Sequence, residues 1–120
     1  MKYLLIIHLN PANLEALSQE EQNAIFGTHQ AFQKATKETG EFVGFAALAD
    51  PSQSKTVRVR GDVPAVTDGP YVEAKEFMAG YYVVDCESVE RADELAAQMP
   101  EARFSAIEVR PVMESGGMEM

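Results

Sequence analysis

The chain has 120 residues, with ten Lys+Arg, 19 Asp+Glu and two His, and a formal net charge of −9. That length accommodates one domain, able to bury about two thirds of its unfolded surface, and 46% hydrophobic with 24% charged residues is a globular rather than a disordered composition. A single cysteine excludes an intramolecular disulfide and a Cys-based zinc site and fits a reducing, cytoplasmic setting, and no apolar run approaches the roughly 18 residues of a membrane-crossing helix.

In chain order, Tyr3 to Leu9 is apolar but broken by His8, with no small-x-small cleavage site before Asn13, so it reads as a strand rather than a signal peptide. Tyr3, Leu5 and Ile7 take one face and Leu4 and Ile6 the other, so both faces require cover. Asn10-Pro11 ends the strand. Ser18 with Glu21 forms a capping box that starts a helix running to about Thr39, stopped by Gly40. The stripe Ile25, Thr28, Phe32, Ala35, Thr39 is expected to face a sheet. Glu41 to Leu48 is a second strand. Thr56 to Arg60 and Val63 to Thr67 flank the tight turn Gly61-Asp62 and pair as a hairpin. Asp68-Gly69-Pro70 is another turn. Ala79 to Cys86 is a strand, Ser88 caps a helix through Met99 that Pro100 stops, and Phe104 to Val112 is the last strand. The domain covers residues 1–113. Residues 114–120 form a tail expected to fray.

The order β-α-β-(short hairpin)-β-α-β is the ferredoxin-like α+β pattern with an inserted hairpin. Two helices cover one face of four strands, so the other face calls for self-association, and a homodimer with sheets face to face is expected. Residues 1–60 carry six basic and six acidic side chains, whereas residues 61–120 carry four and thirteen. The acidic second half disfavours direct nucleic-acid binding and strongly anionic ligands. Arg58 and Arg60 share one face of a short strand, a solvated face rather than a basic cluster.

Several blocks together resemble the DGPF-type branch of the YCII-related family. They are Met1-Lys2-Tyr3-Leu4-Leu5-Ile6-Ile7, His29-Gln30-Ala31-Phe32, Thr56-Val57-Arg58-Val59-Arg60, Val66-Thr67-Asp68-Gly69-Pro70-Tyr71, Glu73 with Lys75-Glu76, Gly80-Tyr81-Tyr82, and Ile107-Glu108-Val109-Arg110-Pro111-Val112. Tyr71 stands where that family usually has Phe. The resemblance spans about Lys2 to Met113. It implies a dimeric α+β barrel and a His–Asp pair in a cleft, and it implies little about activity.

His29 lies beside Ile25 and Phe32 on the helical wheel, at the border of the buried stripe, where an imidazole serves either as an acid/base or as a boundary histidine bonded to a nearby carbonyl. Asp68 is the partner that the resemblance implies, a carboxylate that would orient the ring; read locally, it caps its own turn. Glu76, Tyr71 and Tyr3 are the ligand-binding candidates. Glu73 and Lys75 read as a solvated loop. His8 with His29, Asp68 and Glu76 would make a mixed metal site, but two isolated histidines at no ligand spacing do not support one. Tyr81 and Tyr82 read as core or interface rings with a hydroxyl that reaches a partner, and Cys86 as an inert thiol. No phosphate loop, Walker pattern or nucleophile elbow is present.

Two functions follow. One is a homodimer that binds a small organic molecule, with cofactor-independent lyase- or isomerase-type proton chemistry at His29. The other, implied by the resemblance, is a regulatory module tied to an alternative sigma factor. With no helix-turn-helix and a charge of −9, it would act through a protein partner in transcription regulation rather than by touching DNA.

Overall fold

The computed structural model describes residues 1–117; the last three residues of the expected tail lie outside the described residues. The elements are β1 (Lys2–Leu9), α1 (Pro11–Glu15), α2 (Gln19–Thr39), β2 (Phe42–Ala47), a 3-10 turn at Pro51–Gln53, β3 (Lys55–Arg60), β4 (Val63–Asp68), β5 (Phe77–Asp85), α3 (Val89–Ala97), α4 (Glu101–Phe104) and β6 (Ala106–Pro111). The antiparallel sheet runs β2-β5-β1-β6, and β3 pairs with β4 in a separate two-stranded sheet. That four-strand order is ferredoxin-like, and the fold is α+β.

Local chemistry sets the boundaries. Ser18 Oγ accepts from the Glu21 amide while Glu21 Oε1 accepts from the Ser18 amide, which satisfies two free donors at the start of α2. Gly40 ends α2 in the left-handed region at φ 82°. Gly61 and Asp62, at φ 54° and 64°, form the two-residue hairpin link, a backbone that twists with the strands. Asn10 caps the short α1, which has Pro11 at its first position. The sequence expectation of two helices missed α1 and α4. It also began β6 at Phe104, a residue that closes α4 instead. Both extra helices, at five and four residues, are too short to show a 3.6-residue period.

The core lies on the helix side of the sheet. Tyr3, Leu5, Ile7, Tyr82 and Val84 meet Phe32 of α2 and Ala92, Leu95, Ala96 and Met99 of the α3 region. The buried stripe of α2 is not the expected one. Phe32 and Thr36 are buried, Ile25, His29 and Gln33 half-buried, and Thr28, Ala35 and Thr39 exposed. Thr36 occupies the interior because its hydroxyl bonds the Phe32 carbonyl at 2.8 Å, so hydropathy alone misplaces the stripe. Leu4, Ile6, Tyr81 and Val83 alternate onto the opposite face of β1 and β5. Ile6 and Val83 are buried there, outside the helix-side cluster.

The hairpin β3–β4 stands away from this body. Only Thr56 among its strand residues is even half-buried. The radius of gyration is 16.4 Å, against about 14 Å for a compact chain of this length. No helix among the described residues is long and apolar enough to cross a membrane.

Candidate functional site

His29 and Gln33 are four residues apart on α2 and therefore share a face. Both reach the hydroxyl of Tyr82, which β5 holds opposite Leu5 of β1 on the core side of the sheet. His29 Nδ1 is 2.9 Å from Tyr82 Oη, and Gln33 Nε2 donates to the same oxygen at 3.1 Å. On the far side of the imidazole, Nε2 is 2.9 and 2.8 Å from the two carboxylate oxygens of Glu101, the first residue of α4. Glu101 is a buried acid, tolerated because the imidazole hydrogen bonds to it. The His29 and Tyr82 rings stack at 15° with centroids 5.8 Å apart; Phe32 meets Tyr82 edge-on at 4.8 Å, and Phe45 lies 5.7 Å from it.

An ionised carboxylate only accepts, so the hydrogen of a neutral His29 belongs on Nε2. Nδ1 then accepts from the Tyr82 hydroxyl. The chain Gln33–Tyr82–His29–Glu101 is thus hydrogen-bonded in one direction. Burial pushes the Tyr82 hydroxyl above the usual tyrosine range; the Gln33 hydrogen bond opposes this and the Glu101 charge adds to it.

This chain borders a cleft of about 420 Å³ between α2 and the β2–β5 edge. Its walls are mostly apolar, from Ile7, Phe26, Phe45, Ala47 and Ala79, and among the described residues Glu101 is the only Asp, Glu, Lys or Arg that lines it. Phe26 and Phe45 are exposed at its rim. At Gly80 the strands approach so closely that an added Cβ would lie 2.6 Å from the Ala46 carbonyl oxygen, so glycine sets the shape of the cleft floor.

The residues singled out from the sequence are dispersed in the protomer. His29 is in the cleft, but its ring partners are Glu101 and Tyr82. Asp68 is exposed at the end of β4, opposite Lys55. The turn after Asp68 is held by Gly69, whose amide donates to the Ser54 carbonyl at 2.8 Å and whose carbonyl accepts from Thr56 Oγ1 at 2.9 Å. Tyr71 is exposed, with the Arg58 guanidinium 4.9 Å from its ring centroid, and Glu76 is exposed in the loop before β5. Tyr3 lies in the core, its hydroxyl near Met1 Sδ. His8 bonds Glu108 at 2.8 Å on β6, so the two histidines serve separate carboxylates. Among the described residues no three His, Cys, Asp or Glu side chains are grouped to hold a metal ion. Cys86 is buried and donates to the Ser88 carbonyl; burial pushes its thiol up, so little of it is the nucleophilic thiolate.

Sequence reasoning missed Glu101 and Gln33. For Gln33 a signal existed, the i, i+4 spacing from His29. For Glu101 there was only its place after Pro100, which says nothing of what it faces.

The YCII-related domain model matches residues 1–115. An uncharacterized protein of Rhizobium meliloti (strain 1021) is 30% identical over 114 residues, which cover 93% of this chain and 92% of the relative. The chain therefore belongs to the YCII-related domain family.

Proposed function

We propose that this protein binds a small, uncharged organic molecule in the cleft between α2 and the β2–β5 edge and moves a proton on it without a cofactor, with His29 as the acid/base group. The observation that carries this reading is the convergence of one buried carboxylate–imidazole–phenol chain on a cleft with mostly apolar walls. A ligand site combines apolar area with a few placed polar groups in this way. Lyase- or isomerase-type proton chemistry suits it, since an imidazole oriented by a carboxylate is a common acid/base device. The turn Asp68-Gly69-Pro70 followed by Glu73 and Lys75-Glu76 supports placing the chain in the DGPF-type branch.

The working unit in this proposal is a homodimer, a dimeric α+β barrel with sheets face to face. The side chains of Leu4 and Tyr81 on the face away from α2 and α3 support it. So does the hairpin, where Val57, Val59 and Val66 are 62%, 63% and 59% exposed. Register places Val57 opposite Val66 and Val59 opposite Pro64, so these side chains form one apolar face. A two-stranded hairpin is marginal alone, and a second copy is its natural cover. Asp68 shares that face at the hairpin base, and in this reading the dimer brings it to the mouth of a cleft, near His29 but not bonded to its ring, whose two nitrogens already face Glu101 and Tyr82.

A thermal-shift screen of uncharged metabolites, nucleotides and divalent metal salts against wild type and His29→Ala tests the proposal. Hits that raise the wild-type midpoint and lose their effect in His29→Ala support it. Hits confined to nucleotides or divalent metals, or indifferent to His29, refute it.

A further inference from the structure

We propose that the face of the β3–β4 hairpin that carries Arg58 and Arg60 is a second binding site, for a phosphate group, free or esterified. It goes beyond the cleft and shares no lining residue with it.

The hairpin has two unlike faces. Strand alternation puts Val57, Val59, Val66 and Asp68 on one and Thr56, Arg58, Arg60, Ala65 and Thr67 on the other. On this second face Arg58, Arg60, Thr67 and Tyr71 line a hollow of about 320 Å³. The side chain opposite Arg58 is the short Ala65, which leaves the space open. Among the described residues no Asp or Glu lines the hollow. Arg91 and Arg110 are committed to Glu41, Glu94 and Glu108, whereas Arg58 and Arg60 form no salt bridge among the described residues. The net charge of −9 resides elsewhere in the chain, because residues 55–67 set Lys55, Arg58 and Arg60 against Asp62 alone.

Residues two apart on a strand are separated by about 7 Å, so the two guanidinium charges repel, and an anion between them removes the repulsion. Arg58 is also positioned. Its guanidinium lies 4.9 Å from the Tyr71 ring centroid, a cation–π contact that restrains a side chain otherwise costly to order. The turn sets Tyr71 there: the Gly69 amide donates to the Ser54 carbonyl and its carbonyl accepts from Thr56 Oγ1, which ties the Asp68-Gly69-Pro70 turn back to the start of β3. A guanidinium offers a planar fork that matches an oxyanion with two parallel hydrogen bonds. One fork fills the two oxygens of a carboxylate. A phosphate has a third oxygen to meet the second arginine, and the Thr67 hydroxyl adds a further donor on the same face.

Amide NMR titration of the full chain with inorganic phosphate, in neutral buffer with the ionic strength held by sodium chloride, tests this. We expect saturable shifts at Thr56, Arg58, Arg60, Ala65, Thr67 and Tyr71. Arg58→Gln should weaken binding about tenfold, the loss of one charge-assisted hydrogen bond. Arg103→Gln removes the same charge from an exposed position on α4 and should leave the affinity as it is. Phenyl phosphate separates the two sources of the group: tighter binding than inorganic phosphate assigns an esterified phosphate, weaker binding the free ion, and either one, weakened by Arg58→Gln, supports the site. In the thermal-shift screen, a nucleotide hit that Arg58→Gln removes belongs to the hairpin and not to the cleft. Shifts that never saturate or that saturate away from the hairpin, binding that Arg58→Gln leaves intact, or an equal loss in Arg103→Gln would overturn the proposal and leave the reading of the cleft untouched.

Discussion

His29 Nε2 stands 2.8 Å from Oε2 of Glu101 and 2.9 Å from Oε1, joining the middle of α2 to the first residue of α4 across 72 positions of the chain. The contact fixes the ring and, through it, the Tyr82 hydroxyl. Glu101→Ala leaves the imidazole N–H without its acceptor in a position where the His29 side chain is 16% exposed. We expect a loss of about 1–3 kcal/mol in urea unfolding. A change within the noise of the measurement would mean that the pair does not organise the site.

The tautomer is a second consequence. In mildly alkaline buffer, long-range proton–nitrogen spectra should show His29 protonated at Nε2 and bare at Nδ1. The reverse assignment would show that Tyr82 accepts from the ring rather than donating to it.

Gly80 has a steric role. The 2.6 Å approach of a Cβ to the Ala46 carbonyl involves backbone on both sides, so β2 and β5 must separate if alanine replaces it. Gly80→Ala should cost about 1–3 kcal/mol, read as a lower unfolding midpoint. An unchanged midpoint would mean that the strands yield freely there.

Acid sensitivity has a local source in Glu41. The Arg91 side chain bonds both of its carboxylate oxygens, at 2.9 Å each, and holds its pKa below the ordinary 4.5. A depressed folded value means that this stabilisation is complete above the unfolded value and is lost as pH falls through the folded one. Glu41→Gln should therefore be less stable than wild type at neutral pH, and the gap should close as pH falls past the ordinary carboxylate value and through the lower folded one. A gap independent of pH would assign the loss to packing instead.

For assembly, light scattering at micromolar concentration should give twice the 13.2 kDa chain mass, and Val57→Lys with Val66→Lys should shift the protein toward monomer. A wild type that stays monomeric would remove the dimer from the proposal.

Much of this architecture was legible because its signals are local. The Ser18–Glu21 box and Gly40 bracket α2, Gly61-Asp62 turns the hairpin, and the apolar run Tyr3–Ile7 marks the central strand β1. The site was less legible because its polar partners are made by packing. His29 drew notice at the border of a stripe, yet its carboxylate partner comes from a four-residue helix that has no periodicity to read. Thr36 and Glu101 are buried polar groups, which hydropathy assigns to the surface until a hydrogen-bond partner is seen. Asp68 carries a strong local turn signal, and that signal is silent about what stands across from it in space.

The central claim is that the cleft beside Tyr82 receives an uncharged ligand. Its most direct test is an amide NMR titration of the wild type with phenol, followed residue by residue. The account predicts shifts concentrated at Gln30, Gln33, Ala46, Ala47, Gly80, Tyr81 and Tyr82, saturating with phenol concentration. Saturating shifts confined to the hairpin, or no saturable shifts at all, would contradict it.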